Sequence, residues 1–228
     1  RWVAEGAEWP AAGDEWIAAE LAAQVLPKIT FELPPLDQAQ REAIAAARAK
    51  LLEMGAVVQT VAADTEALDV NLSLLRDKIT DAEFFALVPL APVLVWLNVS
   101  RTAISDAGAV ALGRLTQLRR LNVANTRLTD AAFARFATLT HLEYLNAYDP
   151  WMGDGSLPTL AALPKLAKVY AWQSKVTAGG VKAIRDHFAK VEVDLGDYVE
   201  ARLAAAQKEI DERENRAAPT NDKCPVSG

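Results

Sequence analysis

The sequence predicts a single right-handed α/β solenoid of about five repeats of 24–25 residues, closed by helical caps at both ends. The first observation is a regular spacing, because Leu94, Leu118, Leu142 and Leu166 lie 24 residues apart. The second is that each leucine opens a related string, as in "LVWLNVSRTAISDAG" and "LRRLNVANTRLTDAA". The third is a change of apolar period within each string, from that of a strand to that of a helix. A fixed period of this length indicates stacked units that share one core.

The strings resemble the leucine-rich repeat. Those that begin at Leu94 and Leu118 fit L-x-x-L-x-V-x-x-T-x-[IL], with threonine in the position that usually holds Asn or Cys. One more copy, "DVNLSLLRDKITDAEFFALVPL", precedes them and is shifted by a residue. The "TDAG"-type helix start is similar to that of bacterial leucine-rich repeats. The resemblance covers residues 68–195 and implies a parallel sheet on one side and helices on the other.

Within one copy, the residue pattern predicts both the core and the helix start. Leu118, Leu121 and Val123 are expected to face inward from a short strand and its approach. Thr126 can satisfy backbone groups of the turn that stacking would otherwise leave buried and unpaired. Thr129 or Asp130 is then expected to cap a helix that carries Phe133, Phe136 and Leu139 at helical spacing.

Later copies depart from this pattern, so the second half of the array is expected to be irregular. Pro150 and Ser174 occupy the threonine position, and "DPWMGDGSLP" has the composition of a loop. The segments 56–61 and 190–196 are expected to be the first and last strands of the sheet.

The ends of the chain are predicted to be helical caps. Residues 1–55 form an N-terminal cap or linker with two helices, capped by Asp14 and Asp37 and separated by the breaker "FELPP". Residues 56–196 form the repeat region. Residues 197–228 form a long charged helix and a loose tail.

Composition excludes several functions. The net charge of −6 and the pI near 5.1 argue against nucleic acid, which requires a basic face. A single cysteine, Cys224, cannot form an internal disulfide. No apolar run approaches the roughly 18 residues that a membrane span needs. We therefore expect neither nucleic acid as a partner nor a membrane span in this chain.

No catalytic or metal site is expected, so the protein is predicted not to be an enzyme. The two histidines, His141 and His187, lie in or after helices of separate repeats and read as surface or helix-end residues. Asp149 with "GDG" at 153–155 lacks the spacing of a calcium loop and reads as a turn.

The termini resemble a second family. "RWVAEGAEWP" looks like the end of the c-type cytochrome domain of planctomycete-type multidomain proteins, where leucine-rich repeats often follow, and "NDKCPVSG" resembles the C-terminus of some of these chains. The resemblance implies a periplasmic setting, with membrane association through an upstream segment or a partner. With one cysteine and no Cys-x-x-Cys-His, these residues do not fit haem c attachment, so no cofactor is expected in this chain. Haem c is possible only in a domain upstream of Arg1.

Strand residues that point away from the core form the candidate binding surface. The face begins with Asn71 and Ser73. Its proposed partner-binding residues are Trp96, Asn98, Arg120, Asn122, Tyr144, Asn146, Tyr148, Lys168, Tyr170 and Trp172. Trp, Tyr and Arg dominate the binding energy of protein interfaces. Other interpretations are that the aromatic rings stabilise one another across strands, that helices of residues 14–53 cover this face, or that the rings stack on carbohydrate.

Two functions follow from these features. The first is a docking or scaffold subunit of a periplasmic respiratory or photosynthetic electron-transfer complex in the membrane. The alternative is a c-type cytochrome electron carrier whose haem domain lies upstream and whose repeats steer it to its partner.

Overall fold

The sheet follows the repeats strand by strand. In the computed structural model, the described residues form one seven-stranded sheet in chain order. Its strands are β1 Val57–Thr60, β2 Leu68–Asn71, β3 Leu94–Asn98, β4 Arg120–Asn122, β5 Tyr144–Asn146, β6 Lys168–Tyr170 and β7 Glu192–Asp194. The structure describes residues 31–148, 151–183, 191–196, 207, 208 and 210. Arg1–Glu32 and Leu33–Gly228 cluster as separate units, and the sheet belongs to the second.

Strands β2 to β7 are parallel, whereas β1 pairs antiparallel with β2. From β3 onward each residue pairs with the residue 24 positions later, as Leu97 does with Leu121. The earliest copy differs, because Val70 pairs with Leu97, 27 positions later, and the register shifts between Leu68 and Asp69. The α/β class and the leucine-rich-repeat pattern are confirmed by this arrangement.

The helical segments opposite the sheet are short. The α-helices are α1 Gln38–Glu53, α2 Asp81–Phe84, α3 Ala109–Leu112, α4 Asp130–Phe133, α5 Leu157–Ala161 and α6 Ala178–Ala183. Four 3₁₀ segments accompany them, Arg76–Lys78, Phe85–Leu90, Ala134–Thr138 and Asp154–Ser156. After α1, no α-helix among the described residues exceeds six residues.

The expectation that one helix carries Phe133, Phe136 and Leu139 is therefore corrected. Helix α4 ends at Phe133 and continues as the 3₁₀ segment Ala134–Thr138, while all three side chains are fully buried. Their spacing of three residues matches the 3.0 residues per turn of a 3₁₀ helix, which keeps side chains three apart on one side. The sequence period thus indicated the tighter helix.

The core lies between the sheet and the helical segments, and threonine closes its turns. Leu118, Leu121 and Val123 are fully buried, as expected. The Thr126 hydroxyl donates to the carbonyl of Val123 at 2.6 Å. Thr102 and Ser174 make the same bond in their own repeats, to Val99 and Ala171. Serine therefore replaces threonine at this position without loss of the hydrogen bond.

Aspartates at the helix starts join each repeat to the next. Asp81 accepts hydrogen bonds from the Ser105 backbone N–H at 2.8 Å and from its hydroxyl at 2.6 Å. Asp106 accepts the same pair from Thr129. Asp130 accepts from the Gly153 N–H, and Asp154 accepts from the N–H and the hydroxyl of Thr177. Asp81, Asp106, Asp130 and Asp154 with these partners are called the ladder. The "TDAG" motif thus stabilises the stacking as well as starting helices.

Glycine makes room for the ladder. A Cβ atom on Gly108 would lie 2.5 Å from Oδ1 of Asp81, and one on Gly180 would lie 2.3 Å from Oδ1 of Asp154. A Cβ that close would displace the carboxylate from the hydrogen bonds it accepts. Gly108 and Gly180 therefore leave room for the preceding repeat's aspartate, whereas Ala132 stands at the same position of its own repeat and the hydrogen bonds from Thr129 to Asp106 remain.

Helix α1 extends the helix side rather than the sheet side. It begins with a capping box in which Asp37 accepts from the Gln40 N–H and the Gln40 side chain accepts from the Asp37 N–H. Ala47 and Leu51 are buried in the common core, and the helix packs against Phe85–Leu90 and β1. This part of residues 14–53 does not cover the outer side of the sheet.

The remaining predictions for the ends lie outside the described residues. They include the helix capped by Asp14 and most of the helix and tail over 197–228, of which residues 207, 208 and 210 are helical. The domain boundaries at 55 and 196 stay predictions.

Candidate functional site

The strand register aligns the candidate residues in two rows on the outer face, defined as the face of the sheet that points away from the core. The first row is Asp69, Trp96, Arg120, Tyr144, Lys168 and Glu192. The second row is Asn71, Asn98, Asn122, Asn146, Tyr170 and Asp194. Tyr148 and Trp172 follow β5 and β6 on the turns. The structure brings the ten candidate residues together on one surface, and their binding of a partner stays a prediction.

Two cations of the outer face lie over aromatic rings. The guanidinium carbon of Arg120 lies 4.5 Å from the centre of the Trp96 ring. The Lys168 ammonium lies 4.9 Å from the centre of the Tyr170 ring and 3.1 Å from a carboxylate oxygen of Glu192. Cation–π contacts restrict both long side chains to the sheet surface. The face therefore offers ordered positive charge rather than freely moving side chains.

The tyrosines and Trp172 also pack in pairs. The Tyr144 and Tyr170 ring centres are 5.3 Å apart, and Tyr148 meets Trp172 edge to face at 5.3 Å. The Tyr148 hydroxyl donates to Oε1 of Gln173 at 2.6 Å. A Cβ on Gly196 would lie 2.1 Å from the Trp172 ring, so that ring also covers the backbone of the last repeat. Mutual packing of the aromatic rings is thus present, and it leaves Trp172 43% exposed.

Two side chains of the outer face, Tyr144 and Lys168, have raised pKa values. Partial burial, with Tyr170 nearby, raises the pKa of Tyr144 above that of an ordinary tyrosine. Hydrogen bonds with Tyr170 and Glu192 raise the pKa of Lys168 above that of an ordinary lysine. Tyr144 therefore stays a neutral phenol and Lys168 stays an ammonium.

The asparagines of the second row close the turns after their strands. Oδ1 of Asn98 accepts from the Ser100 N–H at 3.0 Å, and Oδ1 of Asn122 accepts from the Ala124 N–H at 3.0 Å. Asn146 does the same for the Tyr148 N–H at 3.2 Å. Their carbonyl oxygens thus have a structural role in the turns.

Trp151 is an exposed aromatic residue that the sequence reasoning missed as a contact candidate. It is 62% exposed, and the Lys175 ammonium lies 5.0 Å from its ring centre. The signal was available, since Trp151 stands where the neighbouring repeats carry the polar, exposed Arg127 and Lys175. The composition of "DPWMGDGSLP" indicates a loop, and a loop pattern alone does not predict that its tryptophan lies outside the core.

Other candidate chemistry finds no site in the described residues. Nδ1 of His141 lies 3.2 Å from the carbonyl oxygen of Thr116, so this histidine bridges neighbouring repeats. His187, Asp149 and Cys224 lie outside the described residues. Across the described part of the chain, no three His, Cys, Asp or Glu side chains are grouped to hold a metal. No described helix is both long and apolar enough to cross a membrane.

The described residues of the second unit line a depression on the outer face and another beside α1. One of about 140 Å³ lies on the outer face and is lined by Asp69, Trp96, Leu97, Asn98, Arg120, Leu121, Asn122 and Tyr144. The other, of about 480 Å³, lies between α1 and the β1–β2 end of the sheet. Most of its lining is apolar and includes Ile44, Leu52 and Val93. Arg41 and Glu66, which form an ion pair, also line it.

Comparisons with known proteins return remote likenesses. No protein-family model matches the sequence, and no curated protein matches it. Among solved structures, an internalin from Listeria monocytogenes is similar over 47% of this chain and 30% of its own, at 25% identity and a TM-score of 0.39. A leucine-rich-repeat protein of Leptospira interrogans is similar at 17% identity and a TM-score of 0.36, and the match covers 47% of this chain and 27% of that protein. Actin-binding site 2 of leiomodin-1 is similar at 15% identity and a TM-score of 0.45, and the match covers 77% of this chain and 99% of that structure.

The chain thus matches less than a third of the length of the internalin and of the Leptospira protein. The assignment depends on the chain's own geometry, which has one parallel strand per 24 residues, buried leucines at fixed positions and a threonine-closed turn. By these features, strands β2 to β7 belong to a leucine-rich-repeat region.

Proposed function

We propose that the protein is a non-enzymatic protein–protein interaction module that binds its partner with the outer face of the sheet. The observation that carries the proposal is the contiguous surface of Trp96, Arg120, Tyr144, Tyr148, Tyr170 and Trp172. These residue types supply most of the binding energy in protein interfaces. A sheet face that only met solvent could hold its strands together with smaller polar residues.

The dimensions of the face favour a macromolecular partner. Six parallel strands about 4.8 Å apart give a face roughly 25 Å wide. The depression on this face has about 140 Å³, whereas pockets for small molecules usually measure about 300–1,000 Å³. A loop, helix or extended segment of another protein fits the face better than a small substrate does.

The setting is proposed to be the periplasm, with the protein acting as a docking or scaffold subunit of a membrane-bound electron-transfer complex. The likeness of "RWVAEGAEWP" and "NDKCPVSG" to cytochrome–repeat fusion proteins supports this setting. The rival function is an electron carrier whose haem domain belongs to the same protein. A haem stain of the intact protein from its native cells separates the two, because only the carrier stains.

Site-directed photo-crosslinking in native cells tests the binding surface. A photoreactive phenylalanine analogue at Tyr144 is compared with the same analogue at Arg135, which is exposed on the helix side. We expect a discrete crosslinked product from position 144 that contains a subunit of a membrane complex, and none from position 135. Crosslinks only from position 135 would place the interface on the helix side and contradict the proposal.

A further inference from the structure

We propose that the exposed guanidinium of Arg120, beside the depression between Trp96 and Tyr144, is a carboxylate subsite that takes an Asp or Glu side chain of an extended partner segment. This inference rests on the proposed function of the outer face, and it names the chemistry that this face recognises.

Arg120 is the charge that would meet the carboxylate. Its guanidinium carbon lies 4.5 Å over the Trp96 ring, and its side chain is exposed. A guanidinium stacks on a ring through its flat face, so the N–H groups at its edge stay available. Two of these N–H groups can donate parallel hydrogen bonds to the two oxygens of a carboxylate. Three cations form ion pairs in the described part of the chain: Arg41 pairs with Glu66, Arg119 with Glu143 and Lys168 with Glu192. Within the described residues, no carboxylate pairs with Arg120.

The neighbouring polar side chains add further donors. Asn98 and Asn122 line the depression, and each uses its Oδ1 to accept a backbone N–H. Each amide keeps an NH₂ group, which can only donate, and a second lone pair on Oδ1. The guanidinium of Arg120, a cation that only donates hydrogen bonds, favours a ligand that only accepts them and carries negative charge. An ionised carboxylate has both properties.

Asp69 sets the direction in which the acidic side chain enters. It lines the same depression on the far side of Trp96 and accepts a hydrogen bond from Nε2 of Gln59 at 3.2 Å. Repulsion from this carboxylate disfavours an anion over β2. The acidic side chain is therefore expected over β4, on the Tyr144 side of Arg120.

The aromatic pairs predict what accompanies the acid in the partner. Tyr170 and Lys168 lie on β6, two strands from Arg120, which is about 10 Å at normal strand spacing. An extended segment advances about 3.3 Å per residue, so about three residues cover this distance. Because side chains of an extended segment alternate between its two faces, the partner is expected to carry an aromatic or branched apolar side chain two or four positions from its acidic residue.

A random display library of linear 12-residue peptides, selected against the full 228-residue chain, tests the subsite. Enriched peptides are expected to share an acidic residue and an apolar residue two or four positions apart. Each is then synthesised with blocked ends in a Glu form and a matched Gln form, and binding is measured by calorimetry. On the unaltered protein the Glu form should bind about tenfold more tightly, as charge-assisted hydrogen bonds predict.

Three variants complete the test. On Arg120→Gln the two peptide forms should bind alike, and on Arg135→Gln, the matched loss of a helix-side arginine, the tenfold preference should persist. Arg120→Lys keeps the charge but not the paired N–H geometry, so an intermediate preference is expected. Circular dichroism melts of each variant establish that it is folded.

The outcomes separate the subsite from the proposed function. Peptides that bind equally in Glu and Gln forms, yet weaken on Trp172→Ala, would overturn the carboxylate subsite and leave the outer face as the binding surface. Selected peptides that no outer-face substitution weakens would overturn both.

Discussion

Two columns of side chains repeat along the chain with the same period, and they differ in what they hold constant. The ladder keeps aspartate in four successive repeats, and each of these carboxylates accepts hydrogen bonds from the next repeat. The first row of the outer face changes chemistry at every strand, from Asp69 through Trp96, Arg120, Tyr144 and Lys168 to Glu192. A position with the same physical task in each copy needs the same residue. The residues of the first row have no such repeated contact, so their identity can vary from strand to strand to match the surface of a partner.

Loss of a ladder aspartate should have the largest effect on stability. Asp106→Ala removes two hydrogen bonds and leaves the Thr129 N–H without its carboxylate partner. We expect the free energy of unfolding to fall by about 2 kcal/mol, the usual cost of an unpaired polar group that is partly buried. Urea denaturation measures the change. Asp77→Ala, at an exposed aspartate outside the ladder, should change stability little. Equal effects of the two substitutions would contradict the structural role of the ladder.

A substitution that crowds the ladder should cost somewhat less. The new Cβ of Gly108→Ala would lie 2.5 Å from Oδ1 of Asp81 and would push it from Ser105. We expect a loss of about 1–2 kcal/mol, typical of overpacking. In an Asp81→Ala background the same substitution should cost much less, because the crowded atom is gone. Gly179→Ala is the matched control, since its Cβ would meet only Oγ1 of Thr177 at an ordinary 3.6 Å.

Among the described residues, Trp151 and Trp172 are both exposed, and their substitutions should differ in effect because only Trp172 packs against other residues of the outer face. Trp172 packs on Tyr148 and on the backbone at Gly196, so Trp172→Ala should lower the free energy of unfolding by about 1 kcal/mol. Trp151 is 62% exposed, so Trp151→Ala should change stability by less than about 0.5 kcal/mol. Thermal melts by circular dichroism compare them. A larger loss for Trp151→Ala would show that its ring has a structural role.

The smallest effect concerns a helix cap. Hydrogen bonds from the Thr80 side chain and backbone lower the pKa of Glu83, which completes a capping box that helix α4 lacks. A lowered pKa in the folded protein adds stability above the unfolded value of about 4.3, and this gain is lost as the pH falls through the folded pKa. The stability difference between the unaltered protein and Glu83→Ala should therefore be present at pH 7 and shrink below about pH 4. Urea titrations across this range measure it, and a difference that grew in acid would contradict the assignment.

Much of the repeat fold could be predicted because its signals are local and repeated. The spacing of Leu94, Leu118 and Leu142 predicted the strands, and the threonine at 126 predicted the closed turn. The ladder could not be found in this way, since the partners of Asp81 and Asp106 lie 24 and 23 residues away. Read locally, an aspartate after threonine indicates only a helix start.

The outer face shows a similar division. Alternation along the strands predicted which side chains point away from the core, and the register aligned them. The stacking of Arg120 on Trp96 depends on side-chain conformations across two strands, which no local pattern contains. The antiparallel direction of β1 also escaped prediction, because a short apolar segment such as 57–60 has the same pattern in either direction.

The central claim is that the outer face serves binding rather than folding, and one double variant tests it most directly. Arg120→Ala with Tyr144→Ala removes two side chains of the first row while the buried leucines remain. Unfolding by urea and binding of the partner identified by crosslinking are measured on the same preparation. The account predicts a loss of no more than about 1 kcal/mol in stability and a loss of about 3 kcal/mol or more in binding. A loss of several kcal/mol in stability with binding intact would contradict it.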